Sequence, residues 1–484
     1  MSRQRATIAG AGLAVVVVVV LAVVLLGGAS APADRADALV PADARVYVHL
    51  STDPDRDQDA RVLELLQRFP AVTALRRRAE SAVGAFDFKR DLRSWLGKEA
   101  AIAATERGTL LVLAVEKEPT AQGVLTRVAG ARPAGRHAGV VVRRFGPTAA
   151  AFTGGFLVIG PEALVKQSID LEQGRGRSLS KDKTYARAAE LRPDDRSIDA
   201  WTDGSGAALV LPLRLAEVVG GWPVSASVIP NDRGLRLSVR RFGGASPGAD
   251  FDPKLIDSVP DDALAYVGVR SPRTLGPLLP DAVGDAAAGL KKGLAPLLEV
   301  LDGGSALSIT PATPEPVVTL SARTSDPAAA REALAGLQGI IAGLLTGSED
   351  LTGQVPTFEE LDLGDGLDGF RLRLAGGGEL VYVVTGRTVI VSNSSDGVRR
   401  AARPSESLRD TEDFGAAVDG VPGTAQALAF LDASKLLALG DEAGLDASPT
   451  YRAVRNDLRK VRALGAVVRR RGNDTTVELN FLIP

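Results

Sequence analysis

The 484-residue chain has no cysteine, which excludes disulfides, thiolate metal sites and a cysteine nucleophile. It has two histidines, His49 and His137, so a metal centre built from several imidazoles of one chain is excluded. Aromatic residues make up 4%, too few for a stacking platform that would hold sugars or single-stranded bases. Neither sign of charge dominates: 57 Lys and Arg stand against 59 Asp and Glu, a net charge of -2. Without a basic excess the chain has no electrostatic footprint for nucleic acid. What is present is a globular composition, 45% hydrophobic and 24% charged. It is long enough for about two to four domains with cores of their own.

One long hydrophobic run stands out. Residues 8–28 are uncharged and dominated by Val, Leu and Ala; Arg3 and Arg5 precede them, and the next charge is Asp34. About 20 residues at roughly 1.5 Å each span the hydrocarbon of a bilayer. The paired arginines keep the amino terminus cytoplasmic and send the rest across. The expectation is a cytoplasmic 1–7, a transmembrane signal anchor over 8–28 and a spacer over 29–39, so that the first partner is the lipid bilayer itself. Ala29-Ser30-Ala31 resembles a signal-peptide cleavage site. The run exceeds the usual core of such a peptide, of about 7–15 residues, and Pro32 follows the cut, which favours retention.

The chain reads as though written twice. Val40-Pro41-Ala42-Asp43-Ala44-Arg45-Val46-Tyr47-Val48 recurs as Val259-Pro260-Asp261-Asp262-Ala263-Leu264-Ala265-Tyr266-Val267. Gly155-Phe156-Leu157-Val158-Ile159 parallels Gly386-Arg387-Thr388-Val389-Ile390, and 179–185 parallels 408–414. Each half closes with two strand-like runs around a polar turn, 225–229 with 235–240 and 466–470 with 475–482. The matches keep one order, which predicts a duplicated domain: a first copy over 40–240, a Gly/Ala/Pro-rich linker over 241–256 and a second copy over 257–484.

Periodicity within the first half predicts a strand at 45–51, helical segments over 57–68 and 72–83, and a hairpin of 100–105 with 109–116. A helix over 120–129, a meander of 140–145, 148–152 and 156–159, and helices over 162–171 and 184–191 follow. Strands and helices in irregular order predict an α+β class: two tandem, internally duplicated domains with mainly antiparallel sheets.

Several of these segments carry a resemblance. Val40-Pro41 with Tyr47-Val48, the acidic Asp53-Pro54-Asp55-Arg56-Asp57-Gln58, Leu65-Leu66-Gln67-Arg68-Phe69-Pro70 and Trp95-Leu96-Gly97-Lys98-Glu99-Ala100 together resemble an uncharacterised family of exported actinobacterial proteins, domain of unknown function 3352. The resemblance covers most of the chain after the anchor, with its sharpest motifs at 40–100. It implies an architecture and a location in the cell envelope, and no activity.

Motifs of known chemistry fail on context. Gly364-Asp365-Gly366-Leu367-Asp368-Gly369 has the glycines of a dinucleotide loop, but its acids repel phosphate and a strand follows where a helix is needed. Gly244-Ala245-Ser246-Pro247-Gly248 has the glycines of a nucleophile elbow, but Pro247 and Pro253 forbid the helix behind it. Ser180-Lys181-Asp182-Lys183 matches a serine–lysine pattern without its companion motifs and reads as a helix start. His49 alternates with Tyr47 and Ser51 on one strand face, and His137 lies in a polar stretch; neither has a partner visible in the sequence. Asp53, Asp55, Asp57, Asp59 and Glu64 have the spacing of a calcium loop, yet Gln58 stands where its glycine belongs. Helix capping accounts for the same carboxylates without metal.

The expectation is therefore an extracytoplasmic module that binds an envelope protein, lipid or cell-wall component, with no catalytic, cofactor or metal residue assigned. The alternative is an envelope-acting hydrolase or transferase working through Asp/Glu pairs.

Overall fold

The computed structural model describes residues 34–52, 91, 94–206, 221–244, 249–272, 294–313, 315–346, 358–364, 366–373 and 378–483. The hydrophobic run 8–28, the acidic stretch Asp53–Glu64, the helices expected over 57–68 and 72–83, and residues 245–248 lie outside them. No helix among the described residues is long and apolar enough to cross a membrane. The chain divides into two compact units with the boundary after Gly244.

Among the described residues the first unit holds ten strands: β1 (Val46–Ser51), β2 (Leu96–Thr105), β3 (Gly108–Val115), β4 (Arg132–His137), β5 (Val140–Phe145), β6 (Thr148–Thr153), β7 (Phe156–Gly160), β8 (Ile198–Thr202), β9 (Val224–Asn231) and β10 (Gly234–Arg241). All pair antiparallel, in the order β10-β9-β8-β1-β2-β3-β7-β6-β5-β4. β1 lies between β2 and β8, so the alternation read from the sequence places Tyr47, His49 and Ser51 on one face and Val48 and Leu50 on the other. Among the described residues, helices α1 (Glu118–Ala129), α2 (Glu162–Glu172) and α3 (Lys183–Glu190) accompany them. α2 buries Leu164, Val165, Ser168, Ile169 and Leu171, one helical stripe. Leu164, Val165 and Ile169 join Tyr47, Val112, Val158 and Tyr185 in the larger core, while Leu50, Ile102 and Leu113 on the opposite sheet face pack with Ala121 and Leu125 of α1. The turn between β6 and β7 is Gly154-Gly155 with φ of 58° and 82°, the double left-handed step that a two-residue hairpin demands.

The second unit holds β11 (Ala265–Val269), β12 (Ser305–Thr310), β13 (Val317–Arg323), β14 (Phe358–Asp362), β15 (Asp368–Arg373), β16 (Glu379–Thr385), β17 (Thr388–Ser392), β18 (Ala427–Asp432), β19 (Ala463–Arg471) and β20 (Asp474–Leu482). Their order is β20-β19-β18-β11-β12-β13-β17-β16-β15-β14, the order of the first unit strand for strand. Helices α4 (Pro327–Thr346), α5 (Ser395–Ala402), α6 (Glu412–Val418), α7 (Ala433–Glu442) and α8 (Pro449–Leu458) accompany them. The architecture is α+β with mainly antiparallel sheet, as expected from the irregular order of elements.

Three readings change. β4 has no counterpart among the predicted strands: Arg132-Pro133-Ala134-Gly135-Arg136-His137 is almost wholly exposed, so it carries no apolar alternation and no period to read. The spacer expected over 29–39 is folded from Asp34 onward, with a 3₁₀ turn Ala36–Leu39 whose Ala36 and Leu39 enter the core. The linker expected over 241–256 is shorter as well, because Phe242 is buried in the first core and Phe251 in the second.

Candidate functional site

The described residues concentrate their buried charge in one place, under the 3₁₀ turn of the first unit. β1 contributes His49, fully buried. Asp199 of β8 is its directly opposed cross-strand neighbour. Glu99 of β2 is diagonal to it on the same face, since Ala101 opposes His49 and Glu99 opposes Ser51. The neighbours of these two acids, Ala100–Ala103 and Trp201, are apolar and buried, so the carboxylates are held inside by the strands that carry them. α3 contributes Tyr185, aimed inward because Asp182 caps the helix by accepting from the amides of Thr184 (2.9 Å) and Tyr185 (3.1 Å). The Ser-Lys-Asp-Lys segment is therefore the helix start that the sequence suggested. Arg192 and Arg196 follow α3.

Asp34 is the centre of the arrangement. Its Oδ1 accepts from the Tyr47 hydroxyl at 2.6 Å; its Oδ2 accepts from the Tyr185 hydroxyl at 2.7 Å and from Arg192 Nη1 at 2.9 Å. The same Arg192 nitrogen lies 3.1 Å from Asp199 Oδ2, and its guanidinium carbon stands 4.9 Å from the centroid of the Tyr185 ring. Arg196 donates to Asp199 Oδ1 at 2.7 Å. Beside Asp34, Arg35 donates to Glu99 from its backbone amide (2.9 Å) and from Nε (2.7 Å).

His49 lies among three carboxylates at ion-pair distance. Nε2 is 3.5 Å from Glu99 and 3.9 Å from Asp34, and Nδ1 is 3.6 Å from Asp199. Burial alone would lower its pKa; attraction by Asp34, with the contacts to Asp199 and Glu99, outweighs burial and raises it to about 10. Burial likewise works against the Asp199 anion, but His49 and Arg192 prevail and hold its pKa at about 2. Asp34, Glu99 and Asp199 thus face Arg35, Arg192, Arg196 and a protonated His49, whose charge the surrounding acids favour. Asp37, on the 3₁₀ turn, goes the other way: burial and then repulsion by Asp34 push its pKa up to about 7.

Asp34, His49 and Asp199 offer three ligand atoms within 4.8 Å of one another. The set does not fit a metal ion. Arg192 already bridges Asp34 and Asp199, and the two histidine nitrogens face different acids across the ring. The cluster is an internally neutralised ion network.

The second histidine also gains a partner, since His137 Nε2 lies 2.9 Å from Asp170 Oδ1, half-exposed at the surface and beside Arg175. A pocket of about 130 Å³ in the second unit presents Asp261, Glu412, Asp413 and Asp432 with Lys435 and Arg462. Its cations are paired, Arg462 to Asp413 at 2.8 Å and Lys435 to Asp432 at 3.3 Å. The dinucleotide-like Gly364–Gly369 stretch spans the turn from β14 to β15. Sequence reasoning singled out His49 without its company. A charge inside an otherwise apolar strand, Glu99 or Asp199, was the available signal.

The second unit answers the cluster with apolar packing in the same strand frame. The aromatic set Tyr47–Tyr185–Trp201, with successive ring centroids 5.6 Å apart and edge to face, has its likeness in Tyr266–Phe414–Phe430 at 6.1 and 5.5 Å. Gly268 stands at the strand position of His49 and Leu428 at that of Asp199, judged by pairing register. A Cβ on Gly268 would meet the Tyr266 hydroxyl at 2.2 Å, and Phe251 closes over Gly268 and Gly304.

These observations define a class: a two-unit antiparallel α+β protein whose first unit is pinned at its amino-terminal end by buried ions. Residues 7–267 match the family described as protein of unknown function (DUF3352), more than half of the chain, and the chain belongs to that family. The match takes in the hydrophobic run and the first unit and ends in β11, so it does not extend over the second unit as the resemblance had suggested. No curated protein matches. Among solved structures, three crystal forms of TP0453 align over 75–78% of this chain and 94–99% of that one at 9–10% identity. Their TM-scores of 0.22–0.26 lie below those of a shared fold and carry no argument.

Proposed function

We propose that this chain is a membrane-anchored extracytoplasmic protein of an actinobacterial envelope, amino terminus inside, that acts by binding an envelope protein, lipid or wall component rather than by catalysis. One observation carries the reading. The densest set of chemistry-bearing side chains among the described residues is turned inward, where Asp34 and Arg35 are bolted to the sheet. Only residues 29–33 separate that bolt from the hydrophobic run 8–28. A domain locked this close to an anchor is suited to presenting a surface at a fixed distance from a bilayer. The test has two arms. A carboxyl-terminal reporter active only outside the cytoplasm is expected to be active, and crosslinking in native membranes is expected to capture one envelope component through the folded units. An active cytoplasmic reporter overturns the topology, and turnover of an envelope substrate by the purified chain overturns the binding role.

Asp37 favours the second reading, an envelope-acting hydrolase or transferase, because a carboxyl with a pKa of about 7 beside a second acid suits proton transfer. That reading expects Asp37→Asn to abolish a measurable turnover. We also read the two units as copies of one duplicated domain, a proposal supported by their shared strand order and aromatic set. Failure of 40–240 and 257–484 to superpose in an experimental structure refutes it.

A further inference from the structure

We propose that Tyr47, Tyr185, Arg192 and His49 form a carboxylate-binding site that the chain keeps closed with its own Asp34. The side-chain donors reach Asp34 from β1, from α3 and from the segment behind α3; its own turn supplies only the Asp37 amide, 3.3 Å from Oδ1. They meet the two oxygens as a receptor meets a ligand: Tyr47 at Oδ1 (2.6 Å), Tyr185 and Arg192 at Oδ2 (2.7 and 2.9 Å), with His49 Nε2 3.9 Å from Oδ1. Two neutral hydroxyls and a guanidinium suit a single negative charge spread over two oxygens.

The receptor is held in place without Asp34. Tyr185 is fixed by the Asp182 cap and by edge-to-face contacts with Tyr47 and Trp201. Arg192 is fixed by Asp199 and by the Tyr185 ring. The strand frame itself does not need these donors. In the second unit Phe414 packs as Tyr185 does but has no hydroxyl, Gly268 replaces His49, and the Tyr266 hydroxyl is buried without a hydrogen-bond partner. Asp34 arrives on a separately latched strap, tied by Arg35 to Glu99 and by Ala36 and Leu39 to the core. A carboxylate from another molecule can occupy the site only when Asp34 leaves it. This inference rests on the geometry alone and stands whether or not the chain is a binding protein.

The experiment removes the internal ligand and supplies an external one. Full-length chain carrying Asp34→Ala is melted with tryptophan emission as the readout; Trp95, Trp201 and Trp222 are its only tryptophans and all precede Gly244. Sodium acetate or formate is compared with chloride at equal ionic strength. A ligand at ten times its dissociation constant raises the folded-to-unfolded ratio about elevenfold. For a unit of this size that is a rise of about 3–6 °C in Tm. The rise is expected in Asp34→Ala, not in the unsubstituted chain, and is expected to vanish in Asp34→Ala/Tyr185→Phe. Coincident acetate and chloride curves for Asp34→Ala overturn the proposal, as does a rise that survives loss of the Tyr185 hydroxyl. Asp34→Ser is carried in parallel. If neither variant folds in chloride, refolding yield in acetate against chloride becomes the readout, and equal yields overturn the site.

Discussion

The charge on His49 makes the stability of the first unit fall at alkaline pH, and the size of the fall can be worked from its surroundings. Its pKa rises from 6.5 to about 10 in the folded chain. The stabilisation is fully present below the unfolded pKa and is lost as pH rises through the folded one. At about 1.4 kcal/mol per unit, the full shift is worth about 5 kcal/mol, and between pH 6.5 and 9 the loss is about 3 kcal/mol. In a unit of this size that lowers Tm by about 6–12 °C. The groups facing the imidazole are Asp34, Glu99 and Asp199, with Arg35, Arg192 and Arg196 behind them. Of the neighbouring acids, Asp37 titrates in the same region, with its pKa raised to about 7, and weakens the fold as pH climbs toward 7. The control is therefore His49→Gln, which keeps the Asp37 contribution and removes the imidazolium. Tryptophan-detected melts from pH 6 to pH 9.5 should show a large gap between the two proteins at pH 6 that narrows to about 1 kcal/mol by pH 9.5. Parallel pH profiles for the two proteins would refute the reasoning, because they would mean that His49 carries no charge in the fold.

His49→Leu, which removes the imidazolium from among Asp34, Glu99 and Asp199, should destabilise by about 3–5 kcal/mol. The paired change His49→Leu/Asp199→Leu should cost less than the single one, with a coupling of at least about 1 kcal/mol in urea melts. In the second unit a Cβ on Gly465 would fall 2.0 Å from the Ala417 carbonyl oxygen of α6. Gly465→Ala should therefore cost about 1–3 kcal/mol, speeding hydrogen exchange in β19 while leaving tryptophan emission unchanged. Millimolar calcium should leave Tm unchanged, because Gln58 stands where a calcium loop needs glycine in Asp53–Glu64; a rise of several degrees abolished by Asp53→Ala would make that stretch a metal site.

Most of the sheet was legible because half-buried strands declare themselves by alternation. The hairpin of β2 and β3, the meander of β5 to β7 and the closing hairpins all carry period-two patterns between Gly-containing turns. β4 was not legible, since an exposed edge strand has no buried face to write into the sequence. The cluster was half legible. Strand alternation put His49 on one face with Tyr47, but its counter-charges come from residues 34, 99 and 199, and the arginines that balance those acids from 192 and 196. Such separations are set by which strands flank β1, and single-sequence periodicity does not specify strand neighbours. Asp34 was least legible of all, because one acid behind a hydrophobic run reads as the first polar residue of a spacer.

The contrast between the units argues for what the buried ions accomplish. Desolvating several charges costs more than packing hydrophobic side chains of the same volume, unless every charge is met. The second unit takes the apolar solution, with Leu428 buried, Gly268 under the Tyr266 ring and Phe251 over both Gly268 and Gly304. The same strand order is therefore reached without the ions, and stability of the frame does not explain them. What they alone provide is conditional attachment. An apolar plug such as Phe251 stays in place whatever the pH or the ligands present, whereas Asp34 is held beside an imidazolium that loses its charge at high pH and by donors that a competing carboxylate can take. Placed at the first described residue behind the hydrophobic run, that difference makes the amino-terminal strap, and not the sheet, the part of the first unit whose docking responds to chemistry.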